Sequence, residues 1–440
     1  MNSDIDTYPI GYPRFVRLFS VFTKSDTALV VFQYVLLQSS VLSFIFSLFY
    51  FYQPGKVTKT ALFLFMLFNP VFLYLANYVS SDTVFLSLSI IWFTILLWII
   101  HSPSNKLIIF HALVLVLAFT VRYNALFYPI ISFVAFIFYK EKIVNKIAGL
   151  ALSVLLIFLF IQFNNNKYYE LCGKKQFTPF SGWQIANNAM YAYKYVPNNQ
   201  VKKVPAKFAA LDKMVRDYFD STRNNKKHPE EELVASTIYM WTPTAPLRMY
   251  MHKVYPKDSI PNQELKYWAA VAPLYKDYGA YIIKEYPLAF AEHYLLPNAL
   301  KYYAPPIEFL QDYSTGKDEV HPIAQQWFDY KSTKLTTIFK DLRVNVLDFY
   351  PIMVGTMNVL FFLGFISFLT LEGYKKRPLL GKAIFLVVCL WLVNFGFSVF
   401  ASPIALRFQL FPILTMTSFT FLFIEYLIKE ASIKETPIDK

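Results

Sequence analysis

Thr83-Val84-Phe85-Leu86-Ser87-Leu88-Ser89-Ile90-Ile91-Trp92-Phe93-Thr94-Ile95-Leu96-Leu97-Trp98-Ile99-Ile100 is the stretch that decides the fold class. It runs without a single ionisable side chain. As a helix rising about 1.5 Å per residue it reaches about 27 Å, close to the hydrocarbon thickness of a bilayer. It is one of nine apolar segments of spanning length, at approximately 27–52, 58–78, 83–100, 106–121, 123–139, 145–163, 346–371, 380–400 and 405–428. The fourth and fifth are short and nearly continuous, split only by Val121-Arg122-Tyr123-Asn124. Of the 440 residues 56% are hydrophobic and 16% charged, against about 25% charged in soluble domains. The expected fold is all-α, a polytopic transmembrane helical bundle of about nine spans.

Orientation follows from the short loops, because Lys and Arg concentrate on the cytoplasmic side. Alternate loops carry Lys56 and Lys59; Lys106; Lys140, Lys142 and Lys146; and Lys375, Lys376, Arg377 and Lys382. The interleaved loops hold only Arg122 and Arg407. The C-terminus is then expected inside, and the N-terminus and residues 164–345 outside, in an inner or plasma membrane. The net charge of +13 reads as this loop bias rather than as a nucleic-acid surface. Four parts follow: an outer segment 1–26, a six-span module 27–163, an outer, mainly helical region 164–345, and a three-span module 346–440.

The outer region lacks strand alternation and shows helical stretches at Trp183–Tyr195 and Tyr267–Lys284. Tyr275–Lys301 mixes aromatics, Leu and Lys, as a segment lying along a membrane surface would. Residues 10–24 read as a short interfacial helix with Phe15, Leu18, Phe19 and Phe22 on one face. Cys172 and Cys389 fall at different depths, so no disulfide is expected.

Arg122 and Arg407 stand at span ends where the charge rule disfavours them. A guanidinium offers a planar fork for phosphate oxygens; the bland alternative is snorkelling or pairing with a nearby carboxylate. Asp82 opens the third span in Ser80-Ser81-Asp82-Thr83. It suits a helix N-terminus and equally a pocket carboxylate that orients substrate or binds metal. Asp4 and Asp6 are the carboxylates of the first outer segment, where a general base would be needed, although a frayed terminus explains them as well. His293, beside Glu292, is a further metal or acid–base candidate. Nucleotide-binding glycine motifs are absent, so no nucleotide donor is expected.

Four motifs together resemble the lipid-carrier-dependent GT-C glycosyltransferases, the group containing lipid A aminoarabinose transferases and protein O-mannosyltransferases. Tyr8-Pro9-Ile10-Gly11-Tyr12-Pro13 is similar to the Tyr-Pro-Pro-x-Tyr-Pro stretch of that family's first outer loop. Asn69-Pro70-Val71-Phe72 through Ser81-Asp82-Thr83 is similar to its span pair ending in an outer Asp. Phe119-Thr120-Val121-Arg122-Tyr123-Asn124 is similar to its Leu-Thr-Arg-Tyr turn, and Ser402-Pro403 through Arg407-Phe408 and Phe411-Pro412 to the start of a late span. The likeness covers about 1–140 and 345–428.

The resemblance implies sugar transfer from a polyprenyl-phosphate donor to a lipid, glycan or protein acceptor at the outer face. It implies Asp4 or Asp6 as acceptor-activating carboxylate, Asp82 in the pocket with a possible divalent metal, and Arg122, Arg407, Tyr123 and Tyr12 on the donor phosphate. It also implies a further N-terminal span, so the chain is expected to begin within what would be the first outer loop. An O-antigen polymerase or ligase acting on the same carrier is the nearest alternative. A transporter or flippase ranks below, because glycine is scarce, 12 residues in all, and no charge sits at a span centre.

Overall fold

The computed structural model describes residues 4–139, 142–222, 237–256, 263–312, 316–335, 343–401 and 403–434. Lys140 of the loop charges and Ser402 of the late motif lie outside these. Among the described residues the elements are helical, with two isolated β-bridges, Asp312 with Arg343 and Glu319 with Lys334. Seven helices are long and apolar enough to cross a membrane: Asp26–Tyr52, Lys56–Ala76, Ser81–His101, Ile143–Cys172, Asn345–Thr370, Pro378–Ala401 and Leu406–Ser432. The fourth and fifth expected spans form shorter apolar helices, Asn105–Val121 and Tyr123–Phe138.

Local chemistry sets the helix ends. Helix α1 (Gly11–Phe19) is followed by α2 (Asp26–Tyr52), whose Ser25 hydroxyl accepts from the Ala28 N–H at 3.2 Å while Asp26 occupies the first turn. It stops at Gln53, in the left-handed region at φ 45°, just before Pro54. The expected span 58–78 is present as Lys56–Ala76 but is broken within its length into α3 (Lys56–Leu67) and α4 (Pro70–Ala76). Pro70 lacks the N–H that would continue the helix, and the Asn69 side chain restarts it by accepting from the Val71 N–H at 3.2 Å. Helix α5 (Ser81–His101) is apolar on every side and buried along nearly its whole length, as a central helix must be. Its Ser87, Ser89 and Thr94 hydroxyls donate to carbonyls one turn back at 2.7–2.8 Å, which satisfies their protons within the helix. Helices α6 (Asn105–Val121), α7 (Tyr128–Phe138) and α8 (Ile143–Cys172) follow.

The chain divides into two compact units. The larger comprises Ile10–Ile157, Tyr303–Asn394 and Ala405–Lys440. Helices in a bilayer gain nothing by hiding apolar surface from water, so they associate by close packing and interhelical hydrogen bonds. Trp98 Nε1 donates to Ser47 Oγ at 2.8 Å, Trp391 Nε1 to Asn358 Oδ1 at 3.2 Å, and Asn394 Nδ2 to Gln409 Oε1 at 2.7 Å.

The smaller unit comprises Met1–Pro9, Phe158–Tyr302 and Phe395–Ile404. Its two main helices, α9 (Phe180–Tyr193) and Glu264–Glu285, match the stretches expected from the sequence. They touch through glycine: a Cβ at Gly182 would come within 2.1 Å of the Ala272 carbonyl oxygen, and one at Gly279 within 2.6 Å of the Ala186 nitrogen. Trp183 and Trp268 stack at 3.7 Å beside this crossing. Tyr275 and Tyr278 are fully buried here rather than lying on a membrane surface; Leu288, Leu296 and Leu300 of the same expected segment are exposed. The buried Asp212, on helix α10 (Ala209–Thr222), accepts hydroxyls from Tyr193 and Tyr278 at 3.0 Å and pairs with Arg216 at 2.9 Å. Burial pushes both phenols well above their ordinary range, and the Asp212 charge adds to it.

A methyl group has no room at the glycine crossing. Gly279→Ala is expected to destabilise the smaller unit by about 1–3 kcal/mol, read as a lower Tm by tryptophan fluorescence of detergent-solubilised protein. Gly396→Ala, where a Cβ meets no atom within 4 Å, should leave Tm unchanged or raise it.

Candidate functional site

The larger unit gathers three residues that the sequence spreads across 325 positions. Asp82 lies in the first turn of α5, Arg122 caps the C-terminal end of α6, and Arg407 opens the helix Leu406–Lys434. Asp82 is 4% exposed. Its Oδ1 is bound by Arg122 Nη1; its Oδ2 accepts from Arg407 Nη1 at 3.2 Å and from Ser80 Oγ at 2.9 Å. Local sequence makes this possible. Ser80, extended at φ −140°, caps the start of α5, its hydroxyl accepting from the Asp82 N–H at 3.4 Å. Arg122 leaves the helical conformation at φ −149° and ψ 131°, so its side chain departs from the face α6 would give it.

Aromatic rings wall the two guanidiniums. Phe408 lies 4.5 Å from the Arg122 guanidinium and 4.1 Å from that of Arg407, and Phe85 lies 5.7 Å from Arg122. Below, Trp92 stacks on Tyr128 at 4.1 Å, and the Tyr128 hydroxyl donates to Ser89 Oγ at 2.6 Å. Both arginine side chains keep partial access, 15% and 21% exposed, while Asp82 has almost none. The three charges sum to one positive, so the cluster retains attraction for an anion. It suits a metal ion poorly: the carboxylate is already engaged by two cations. Among the described residues no group of three His, Cys, Asp or Glu is assembled to hold a metal.

Helix α1 docks beside this cluster. A Cβ at Gly11 would lie 2.6 Å from the Thr120 backbone, two residues before Arg122, so glycine allows the approach. Tyr12 is buried, and its hydroxyl donates to Gln33 Oε1 at 3.0 Å; Gln33 Nε2 in turn donates to the Ala76 carbonyl at 2.9 Å. Burial first, and the Asp82 charge second, push the Tyr12 phenol well above its usual range, so it acts only as a neutral hydrogen-bonding group. The face expected to be apolar is divided. Phe15 and Phe19 pack on Phe32 of α2, whereas Leu18 and Phe22 are exposed. Tyr123 is half-buried and packs on Phe119 at 5.6 Å.

The remaining candidates belong to the smaller unit. Asp4 is exposed and pairs with Lys167 at 3.6 Å; Asp6 is exposed, and its carboxylate accepts from the Thr7 N–H at 2.6 Å. Their segment is not a frayed end. Ile5 is 7% exposed against Tyr168 and Ala269, and the Tyr168 hydroxyl donates to the Asp6 carbonyl at 2.7 Å. His293 stacks on Tyr195 at 4.1 Å, with the Glu292 carboxylate 3.9 Å away. Gln33 was not singled out from sequence, and Ser80 and Phe408 stood in quoted motifs with no role assigned to them. The one readable sign was Gln33, an amide inside an apolar span.

Removing one member of a buried ion pair leaves its partner uncompensated, at a cost of about 3–5 kcal/mol. Asp82→Asn should therefore lower Tm markedly in thermal unfolding, since two neighbouring guanidiniums lose their shared anion. Asp4→Asn, at an exposed pair, should shift it little. No protein-family model matches the chain, and it has no significant similarity to curated proteins or to solved structures.

Proposed function

We propose that this protein is a membrane glycosyltransferase that moves a sugar from a polyprenyl-phosphate donor to a lipid, glycan or protein acceptor at the outer membrane face. The observation that carries the reading is the Asp82–Arg122–Arg407 cluster, two part-exposed guanidiniums fixed side by side by one buried carboxylate with a net positive charge left over. In the proposed topology α6 and Tyr123–Phe138 complete a set of nine spans. Arg122 and Arg407 then share the outer face with the N-terminus and residues 164–345, and the loop charges favour this arrangement.

The chemistry asks for such a cluster. The acceptor oxygen attacks the anomeric carbon, the bond from that carbon to the phosphate oxygen breaks, and the acceptor proton passes to a carboxylate. The leaving polyprenyl phosphate changes from a diester with one negative charge to a monoester with two. Cations already in place stabilise the developing charge without reorganising. Arg122 and Arg407 fill that role, with Asp82 positioning them. For the acceptor-activating carboxylate the sequence resemblance offers Asp4 and Asp6; of the two, Asp6 has its backbone held by Tyr168 while its side chain remains exposed.

Membranes containing the full-length protein, incubated with labelled polyprenyl-phosphate sugars, should transfer label to an endogenous acceptor. Arg407→Lys should reduce kcat by about 10²-fold or more, since an ammonium cannot reproduce the fork. Asp6→Asn should cost about 10²–10⁴-fold and Asp4→Asn little. No transfer from any donor by the intact protein would reject the reading.

A further inference from the structure

At the opposite ends of these helices, on the side that the loop lysines assign to the cytoplasm, the larger unit contains a cavity of about 240 Å³. It lies where the end of α2, the start of the helix Pro378–Ala401 and the helix Leu406–Lys434 meet. Phe51, Leu380, Leu422 and Tyr426 supply its apolar lining. Lys376, Arg377 and Lys429 line it with positive charge, and Glu425 is its carboxylate.

The charges are not equally engaged. Glu425 accepts from the Gly55 N–H through both oxygens, at 2.9 and 3.0 Å, and pairs with Lys429. Lys376 pairs with Glu430. Arg377 is exposed and, among the described residues, has no carboxylate within ion-pair distance. The helix Pro378–Ala401 begins at the next residue, so its positive end adds to the same field. Leu379 on the lining is 46% exposed, and Ile428, next in sequence to the lining residue Lys429, is 61% exposed, so exposed apolar side chains adjoin the cavity.

We propose that this cavity binds the phosphate headgroup of an anionic phospholipid from the cytoplasmic leaflet, with Arg377 as its principal contact and the acyl chains along Leu379 and Ile428. Charge complementarity selects an anion, and the continuous apolar surface selects one that carries lipid chains rather than a soluble phosphate. Basic pockets between helices at the cytoplasmic side are suited to such headgroups. The site is independent of the glycosyl-transfer reading, because it shares no residue with the Asp82 cluster.

The test is native mass spectrometry of the full-length protein in neutral detergent, with phosphatidylglycerol or phosphatidylcholine added. The unmodified protein should retain phosphatidylglycerol about five-fold better than phosphatidylcholine, the preference expected of one guanidinium near a lipid phosphate. Arg377→Gln should abolish that preference, whereas Lys146→Gln, in the first turn of α8, should keep it. Millimolar inorganic phosphate should not displace the lipid. Equal retention of the two lipids, or an unaltered preference in Arg377→Gln, would overturn the proposal. Displacement by inorganic phosphate would overturn the lipid as occupant in favour of a soluble anion.

Discussion

The buried Asp82 carboxylate cannot stay ionised in an apolar bundle without compensation. That requirement ties together parts of the chain that have no other reason to meet. Arg122 comes from the end of α6 and Arg407 from the start of the last long helix, and both reach one carboxylate on the central helix. The dependence runs in both directions. Two guanidiniums close to one phenylalanine ring would repel each other without the anion between them. The aromatic layer of Trp92, Tyr128 and Phe411 then fills the space directly beneath, and Ser89 rather than solvent takes the Tyr128 hydroxyl.

The two units hold together by different means. In the larger, side-chain amides and indoles bond across helices, because apolar contact alone does not favour helix over lipid. In the smaller, glycines let two helices touch, and a dense set of tryptophans and tyrosines closes the core. Each buried hydroxyl there needs an acceptor. Asp212 serves two of them, and the Leu247 carbonyl serves Tyr275 at 2.6 Å. A carboxylate therefore works structurally in one unit and organises a cationic cluster in the other, and the difference lies in what surrounds it.

Features that depend on neighbouring residues were legible in the sequence. The long apolar helices, the Ser-Asp-Thr start of α5 and the helices around Trp183 and Tyr267 all follow from local periodicity and capping. The break at Asn69-Pro70 used equally local signals and was still absorbed into one span, because hydropathy alone runs smoothly through it. What depends on tertiary contact was not legible. Asp82, Arg122 and Arg407 could each be noticed singly, but their meeting rests on the packing of three helices. Tyr12 looked like a ligand-facing aromatic and is instead buried against Gln33. The first outer segment looked like a loose end, yet Ile5 and the Asp6 carbonyl fix it to residues more than 160 positions away.

These placements separate two roles that a list of acidic residues would merge. A general base needs an oxygen that can turn toward an acceptor proton and an environment that lets the proton leave again. Both oxygens of Asp82 are occupied, one by Arg122 and the other by Arg407 and Ser80, and solvent scarcely reaches them. Its effect is to set the direction and spacing of the cations. Asp6 has the opposite character: its backbone carbonyl is held by Tyr168, while its carboxylate makes only a local bond to Thr7 and faces outward. An immobile main chain with an accessible side chain is the arrangement that proton transfer requires. An ion-paired carboxylate beneath two arginines is the arrangement that anion binding requires. The chain contains both, and the glycosyl-transfer proposal uses them at different steps.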